Sequence, residues 1–279
     1  MAQQNPHLAR RFCVGLWLIV MVALIAAGCL PRNDPLPTVA NIPMGQTAAY
    51  LTQNAPPPGF GVVNFAPIDK NLERLPHWHY LVSLSFEGTF ADTKDPTTGT
   101  ISAELFSNEL AGTRRVVLRA SGDAFGETAE RNVEGVRLGN EYYFVDQNKT
   151  CSRATDDPNR RRVAALTAGE LIGGIKVGTH MPTRREADGI TVFQYAFLPG
   201  DVDPPVMQVA QGGSVTIASG ELWIAPSLGV VRDYALTLTL RNVILPIFQG
   251  DRQLSGTLTV VYTLVEVDTA YSIAIPYGC

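Results

Sequence analysis

The chain has 279 residues, 46% of them hydrophobic and 17% charged, with 22 Lys and Arg against 26 Asp and Glu and a formal net charge of -4. Charge is sparse beside the roughly 25% usual in soluble domains, and a mildly acidic chain without a basic stripe is not built for nucleic acid. The one basic run, Arg160-Arg161-Arg162, follows Asp156 and Asp157 and reads as a solvated loop, with contact to anionic headgroups as its functional alternative.

The first informative element is the N-terminal leader. Arg10 and Arg11 precede an unbroken apolar run from Phe12 to Ile25, then the small residues Ala26, Ala27 and Gly28, then Cys29. Charged, apolar, small and cysteine, in that order, is the pattern of a lipoprotein signal, so residues 1–28 are expected to be removed and Cys29 to become an acylated N-terminus. An uncleaved anchor needs about 20 apolar residues, slightly more than this run offers. Simple secretion would not need a cysteine directly after Gly28. Ala26 stands where Leu is usual. All three readings put the rest of the chain outside the cytoplasm. Leu30 is not the Asp that favours inner-membrane retention in bacteria with two membranes.

Residues 29–60 carry Pro31, Pro35, Pro37, Pro43 and Pro56-Pro57-Pro58. Pro-rich chain is extended and semi-rigid, so this segment reads as a tether, with a short helix around Thr47 to Leu51 at most. The folded domain is then 61–279, long enough for a real core. Of four cysteines, Cys13 leaves with the leader and Cys29 takes the lipid, so Cys151 and Cys279 remain. In an oxidising compartment a leftover pair is expected to bond. Such a bridge would hold the chain end in place.

Alternation dominates the domain. Val82, Leu84, Phe86 and Phe90 alternate with polar residues, as do Phe193, Tyr195 and Phe197, and Tyr234, Leu236, Leu238 and Leu240. Period two predicts half-buried antiparallel strands. Further strands are expected at Ile101–Phe106, Arg115–Ala120, Val133–Leu138, Glu141–Val145, Val215–Ile217, Glu221–Ala225 and Leu258–Val267, separated by turns at 138–140, 187–189, 226–229 and 249–251. Against this, Arg162–Ile172 is rich in Ala, Leu and Glu and ends at Gly173-Gly174, which predicts a helix. Pro67–Leu75 is a weaker helix candidate. A long sheet with so little helical cover has surplus apolar surface, so it either curls and fills with side chains or encloses a cavity.

Gly220-Glu221-Leu222-Trp223-Ile224-Ala225-Pro226, followed by Gly229-Val230-Val231-Arg232, resembles a hairpin of the LolA/LppX/LprG-like bacterial lipoproteins. Gly139-Asn140-Glu141-Tyr142-Tyr143 and the ending Gly256–Cys279 fit the same likeness, which covers about Leu81 to Cys279. The resemblance implies a mainly β (α+β) fold, a single curved antiparallel sheet forming a half-barrel, with one or two helices on its concave face. It also implies an apolar cavity that binds or carries lipid in the envelope, with no catalysis and no cofactor. Alternation alone nominates Val82, Leu84, Phe86, Phe193, Tyr195, Phe197, Leu236 and Leu238 as cavity residues, with plain core packing as the competing role of each. Trp223 reads as a packing residue.

Other chemistry is thin. His77 and His79 share one face of an extended segment, with no carboxylate or cysteine at ligand spacing, so no metal is expected. Asp201-Val202-Asp203 lacks the spacing of a calcium loop. Gly169–Lys176 has Ile175 where a phosphate loop requires Lys. A closed-core module that engages another envelope protein is the second functional expectation. An envelope hydrolase, whose triad would assemble from distant positions, is the third.

Overall fold

The computed structural model describes residues 50–246 and 251–279, the side chains of 127–129 apart. The leader, Cys29 and the proline-rich segment to residue 49 lie outside the described residues, as do residues 249 and 250 of the expected turn. Of the short helix expected around Thr47 to Leu51, only its end is described, residues 50–53 being helical.

Thirteen strands form one antiparallel sheet: β1 (Val62–Phe65), β2 (His77–Phe90), β3 (Pro96–Asn108), β4 (Thr113–Gly122), β5 (Glu127–Leu138), β6 (Glu141–Val145), β7 (Cys151–Arg153), β8 (Gly174–Ala187), β9 (Ile190–Ala196), β10 (Val202–Asp203), β11 (Gln208–Ala225), β12 (Val230–Ile244) and β13 (Leu254–Val267). Their order is β1-β8-β9-β11-β12-β13-β2-β3-β4-β5-β6-β7, with β10 beside β8. Two meanders are therefore joined where the last strand pairs with β2, and the sheet is open at β1 and β7.

One face of this sheet is the core. The register aligns Tyr195, Leu222, Tyr234, Tyr262, Val82, Ala103, Leu118 and Val133 in a single row across eight adjacent strands. All eight are buried. Directly opposed residues of an antiparallel pair project to the same side, so alternation in each strand becomes a continuous apolar band across the sheet. Leu81, Ser83, Ser85 and Glu87 of β2 face the other way and are exposed.

Between β7, at one edge, and β8, beside the other, the chain crosses the sheet as two short helices, α1 (Pro158–Ala165) and α2 (Ala168–Ile172). The single helix expected over 162–172 is thus corrected to two. Leu166 is extended, and Thr167 restarts the helix: its hydroxyl accepts from the Glu170 amide while the Glu170 carboxylate accepts from the Thr167 amide, a reciprocal cap. Asp157 caps α1 by accepting from the amides of Asn159 and Arg160. Gly135 of β5 lets α1 approach, since a Cβ there would lie 2.4 Å from the Ala164 nitrogen. The helix expected over Pro67–Leu75 is reduced to one 3-10 turn, Leu72–Arg74.

The strands expected at 215–217 and 221–225 are one strand, β11, bent by a register shift between Ile217 and Ser219. β8 had no sequence signal. Its central stretch carries Pro182 and the exposed Arg184 and Arg185, and its register with β9 breaks between His180 and Arg184, where an edge-type irregularity tolerates proline.

The segment after β13 crosses the outer face. The Tyr271 ring lies edge-on to Phe106 at 4.9 Å and to His79 at 5.8 Å. Its carbonyl accepts from the Asn108 side chain at 3.4 Å. The segment ends with Cys279 at disulfide distance from Cys151 on β7, Cα to Cα 5.2 Å.

Candidate functional site

A second row of side chains crosses the sheet near the start of β2. Trp78 opposes Ser107, Ser107 opposes Arg114, Arg114 opposes Arg137, and Arg137 opposes Tyr142. Trp78 shares the parity of Tyr80, and Arg137 that of Val133, so the row lies on the core face. It is polar where its neighbours are apolar. The row borders a cleft of about 430 Å³ that is also lined by Asp69, Lys70, Asn71, Glu73, Glu109 and Thr167.

The groups of this cleft divide into engaged and unengaged. The Arg114 guanidinium donates to the Leu166 carbonyl, which the break between α1 and α2 leaves free, and it stands 5.3 Å from the centre of the Trp78 ring, a cation–π distance. Ser107 is fully buried and its hydroxyl donates to Glu109 at 2.6 Å. Three buried donors have no acceptor among the described residues: Trp78 Nε1, Arg114 Nε and Arg137 Nε.

Beside them, Asp69 locks α2. Its carboxylate accepts from the amides of Ala168 at 2.9 Å and Gly169 at 3.2 Å, and from the Tyr80 hydroxyl at 3.5 Å. The Tyr80 oxygen in turn accepts from the Ala168 amide at 2.9 Å. Burial pushes the Asp69 carboxyl above the ordinary carboxylate range, against its backbone hydrogen bonds and the Arg114 charge, which pull it down. Burial and the Asp69 charge push the Tyr80 phenol far above its ordinary value. Asp69 therefore acts as a cap, linking the segment before β2 to the helices.

The residues nominated from alternation lie on the core side. Val82, Leu84, Phe86, Phe193, Tyr195, Leu236 and Leu238 belong to one buried cluster, and Phe197 packs against it half-buried. Leu238 also lines a cleft of about 300 Å³ with Ile217, Pro199, Val202 and Pro204. In register, Leu238 opposes Leu258 and Leu258 opposes Phe86, eight residues along β2 from Trp78. Tyr195 donates to the Phe60 carbonyl at 2.6 Å, and burial raises its phenol to about 12.

The remaining candidates have local partners. Trp223 is buried, donates to Glu221 and lies 4.3 Å beneath the Arg185 guanidinium. His79 stacks on Phe106 at 4.1 Å and its Nε2 is 3.1 Å from Glu104. Asp201 accepts from the Leu198 amide at 3.1 Å, and Asp203 is 3.5 Å from Lys176. The Trp78–Arg114–Arg137 row was missed by motif reading. Its signal was a charge at a core-parity position, Arg137 two and four residues from Gly135 and Val133, inside a segment already read as a strand. No family model matches this chain, and no curated protein matches it either.

Proposed function

We propose that the chain is a membrane-anchored, non-catalytic envelope lipoprotein of the LolA/LppX/LprG-like kind. In this reading the sheet is a half-barrel whose core face, under α1 and α2, binds or carries an amphiphile. The observation that carries the proposal is the open sheet itself: among the described residues an apolar band eight strands wide has two short helices across it and a cleft toward either end, about 430 Å³ at Trp78 and about 300 Å³ at Leu238. The cleft at Leu238 is lined mainly by apolar residues and suits a stretch of acyl chain, whereas the cleft at Trp78 is lined mainly by polar and charged ones and suits a headgroup. The closeness of Cys151 and Cys279 suits an oxidising compartment, and a lipidated Cys29 on a proline-rich tether would keep the domain beside a membrane.

The second reading, a closed-core module that engages another envelope protein, has its own support, because seven of the eight nominated cavity residues are packed into one cluster. One experiment separates the two. The full chain, purified in a non-ionic detergent, is extracted and its lipids are identified by mass spectrometry. Lipid binding predicts about one non-covalent amphiphile per chain and saturable binding of a fluorescent fatty acid. Recovery of nothing beyond the anchor on Cys29, together with no fatty-acid binding, overturns it in favour of the closed module.

A further inference from the structure

The geometry points to an oxyanion site in the Trp78–Arg114–Arg137 cleft, one that takes the carboxylate or phosphate head of the amphiphile. This inference deepens the lipid-binding reading and rests on it for the ligand's tail. Three observations carry it. Arg114 and Arg137 are directly opposed on β4 and β5, and like charges facing each other across a ladder are destabilising without a counter-ion. No carboxylate among the described residues comes within ion-pair distance of either: Asp69 accepts from two amides and a phenol, Glu109 accepts from Ser107, and Glu73 stands exposed at the rim.

The third observation concerns hydrogen bonding. Trp78 is 4% exposed, yet its Nε1 has no acceptor, and the Nε atoms of both arginines are buried in the same state. Buried polar groups are nearly always paired. All three orphans are donors, so what completes them is an acceptor, and two guanidiniums favour a charged one. Among the described residues Arg137 makes no side-chain hydrogen bond or ion pair, so no polar contact explains its place on the core face. The cleft's volume of about 430 Å³ leaves room for a headgroup.

The test measures binding by the full chain, in non-ionic detergent, of oleate, lysophosphatidate, neutral monoolein and inorganic phosphate, with Arg137→Gln and Trp78→Phe as variants. Arg137→Gln removes a charge that has no ion-pair partner among the described residues, and Trp78→Phe keeps a ring while deleting the donor; unchanged far-ultraviolet circular dichroism controls for folding. The expected result is that at least one anionic amphiphile binds tenfold or more tighter than monoolein. That preference should shrink about tenfold in Arg137→Gln and severalfold in Trp78→Phe, with monoolein binding unchanged. Phosphate binding with the same Arg137 dependence, but with no gain from an acyl chain, supports the site and assigns it to the free anion. Equal binding of monoolein and both anions, or a preference that survives Arg137→Gln, overturns the site and leaves the lipid reading standing. Failure of every amphiphile overturns the lipid reading, and the phosphate arm then decides the site alone.

Discussion

Two rows cross the core face of the same sheet in the same kind of register, and they have opposite characters. The row through Tyr195, Leu222, Tyr234, Tyr262 and Val82 is apolar and buried on every strand it crosses. The row through Trp78, Ser107, Arg114 and Arg137 is polar, borders a cleft, and leaves three buried donors without acceptors. The two rows also differ in position: the apolar row crosses β11, β12, β13 and β2 away from their ends, whereas the polar row lies one residue in from the ends of β2, β3, β4 and β5. The apolar row buries two unpaired groups of its own, the Tyr234 and Tyr262 hydroxyls, but these are neutral and can also accept, whereas the unpaired groups of the polar row are donors only and two of them belong to charged guanidiniums. A fold that tolerates buried unpaired donors carries their cost of roughly 1–3 kcal/mol each, and such costs concentrate where a ligand removes them.

The sharpest way to break this comparison is to open the apolar row. Leu222→Ala deletes most of a fully buried side chain and is expected to lower stability by about 3 kcal/mol in urea unfolding. A loss below about 1 kcal/mol would show that the row faces a space rather than packed neighbours, which would make it cavity lining instead of core.

Asp69→Ala tests the lock next to the polar row. It leaves the Ala168 and Gly169 amides without their acceptor, for an expected loss of about 2 kcal/mol. The mutation also removes a pH dependence. The folded carboxyl lies above its ordinary value, so the native state binds the proton more tightly than the unfolded chain. This group's contribution is then most favourable in acid and falls as pH rises from the ordinary carboxylate value through the raised one. The stability of the parent relative to Asp69→Ala should decline over that interval; an unchanged or rising difference would mean that the amide hydrogen bonds offset or outweigh burial and that the folded carboxyl does not lie above its ordinary value.

The smallest effects come from a pair of phenols in contact, with ring centres 5.2 Å apart. Tyr80 uses its hydroxyl on Asp69 and Ala168, whereas the Tyr262 hydroxyl is buried without a partner. Tyr80→Phe should cost about 1 kcal/mol and Tyr262→Phe should gain up to about 1 kcal/mol. Effects of the same sign in thermal unfolding would mean that the two hydroxyls share one environment and that the rows grade into each other.

Much of the strand content was legible residue by residue. Alternation located the cores of β2, β9 and β12, and β6 begins and ends where Glu141–Val145 was read. Other elements hid for identifiable reasons. β8 carries a proline and two arginines on an exposed, irregular stretch, so its period-two signal is absent. The helix over 162–172 was legible as helix-forming composition, but its break at Leu166 depends on Thr167 and Glu170 capping a new start and on Arg114, distant in sequence, taking the Leu166 carbonyl.

By itself the sequence determined the local matters: the β-rich class, the turns at 138–140, 187–189 and 226–229, and which face of β2, β9 and β12 is apolar. Each follows from spacing over a few residues, the range over which side-chain parity and turn chemistry act. Only the tertiary structure decided which strands adjoin, and therefore that Trp78, Arg114 and Arg137 stand in one row, because register between strands is set by pairings across dozens of residues that no local period encodes. The pairing of β13 with β2 joins the two meanders into one apolar face, and the opposition of β4 and β5 makes neighbours of two arginines that have no carboxylate within ion-pair distance among the described residues, Asp69 acting on Arg114 only from farther off.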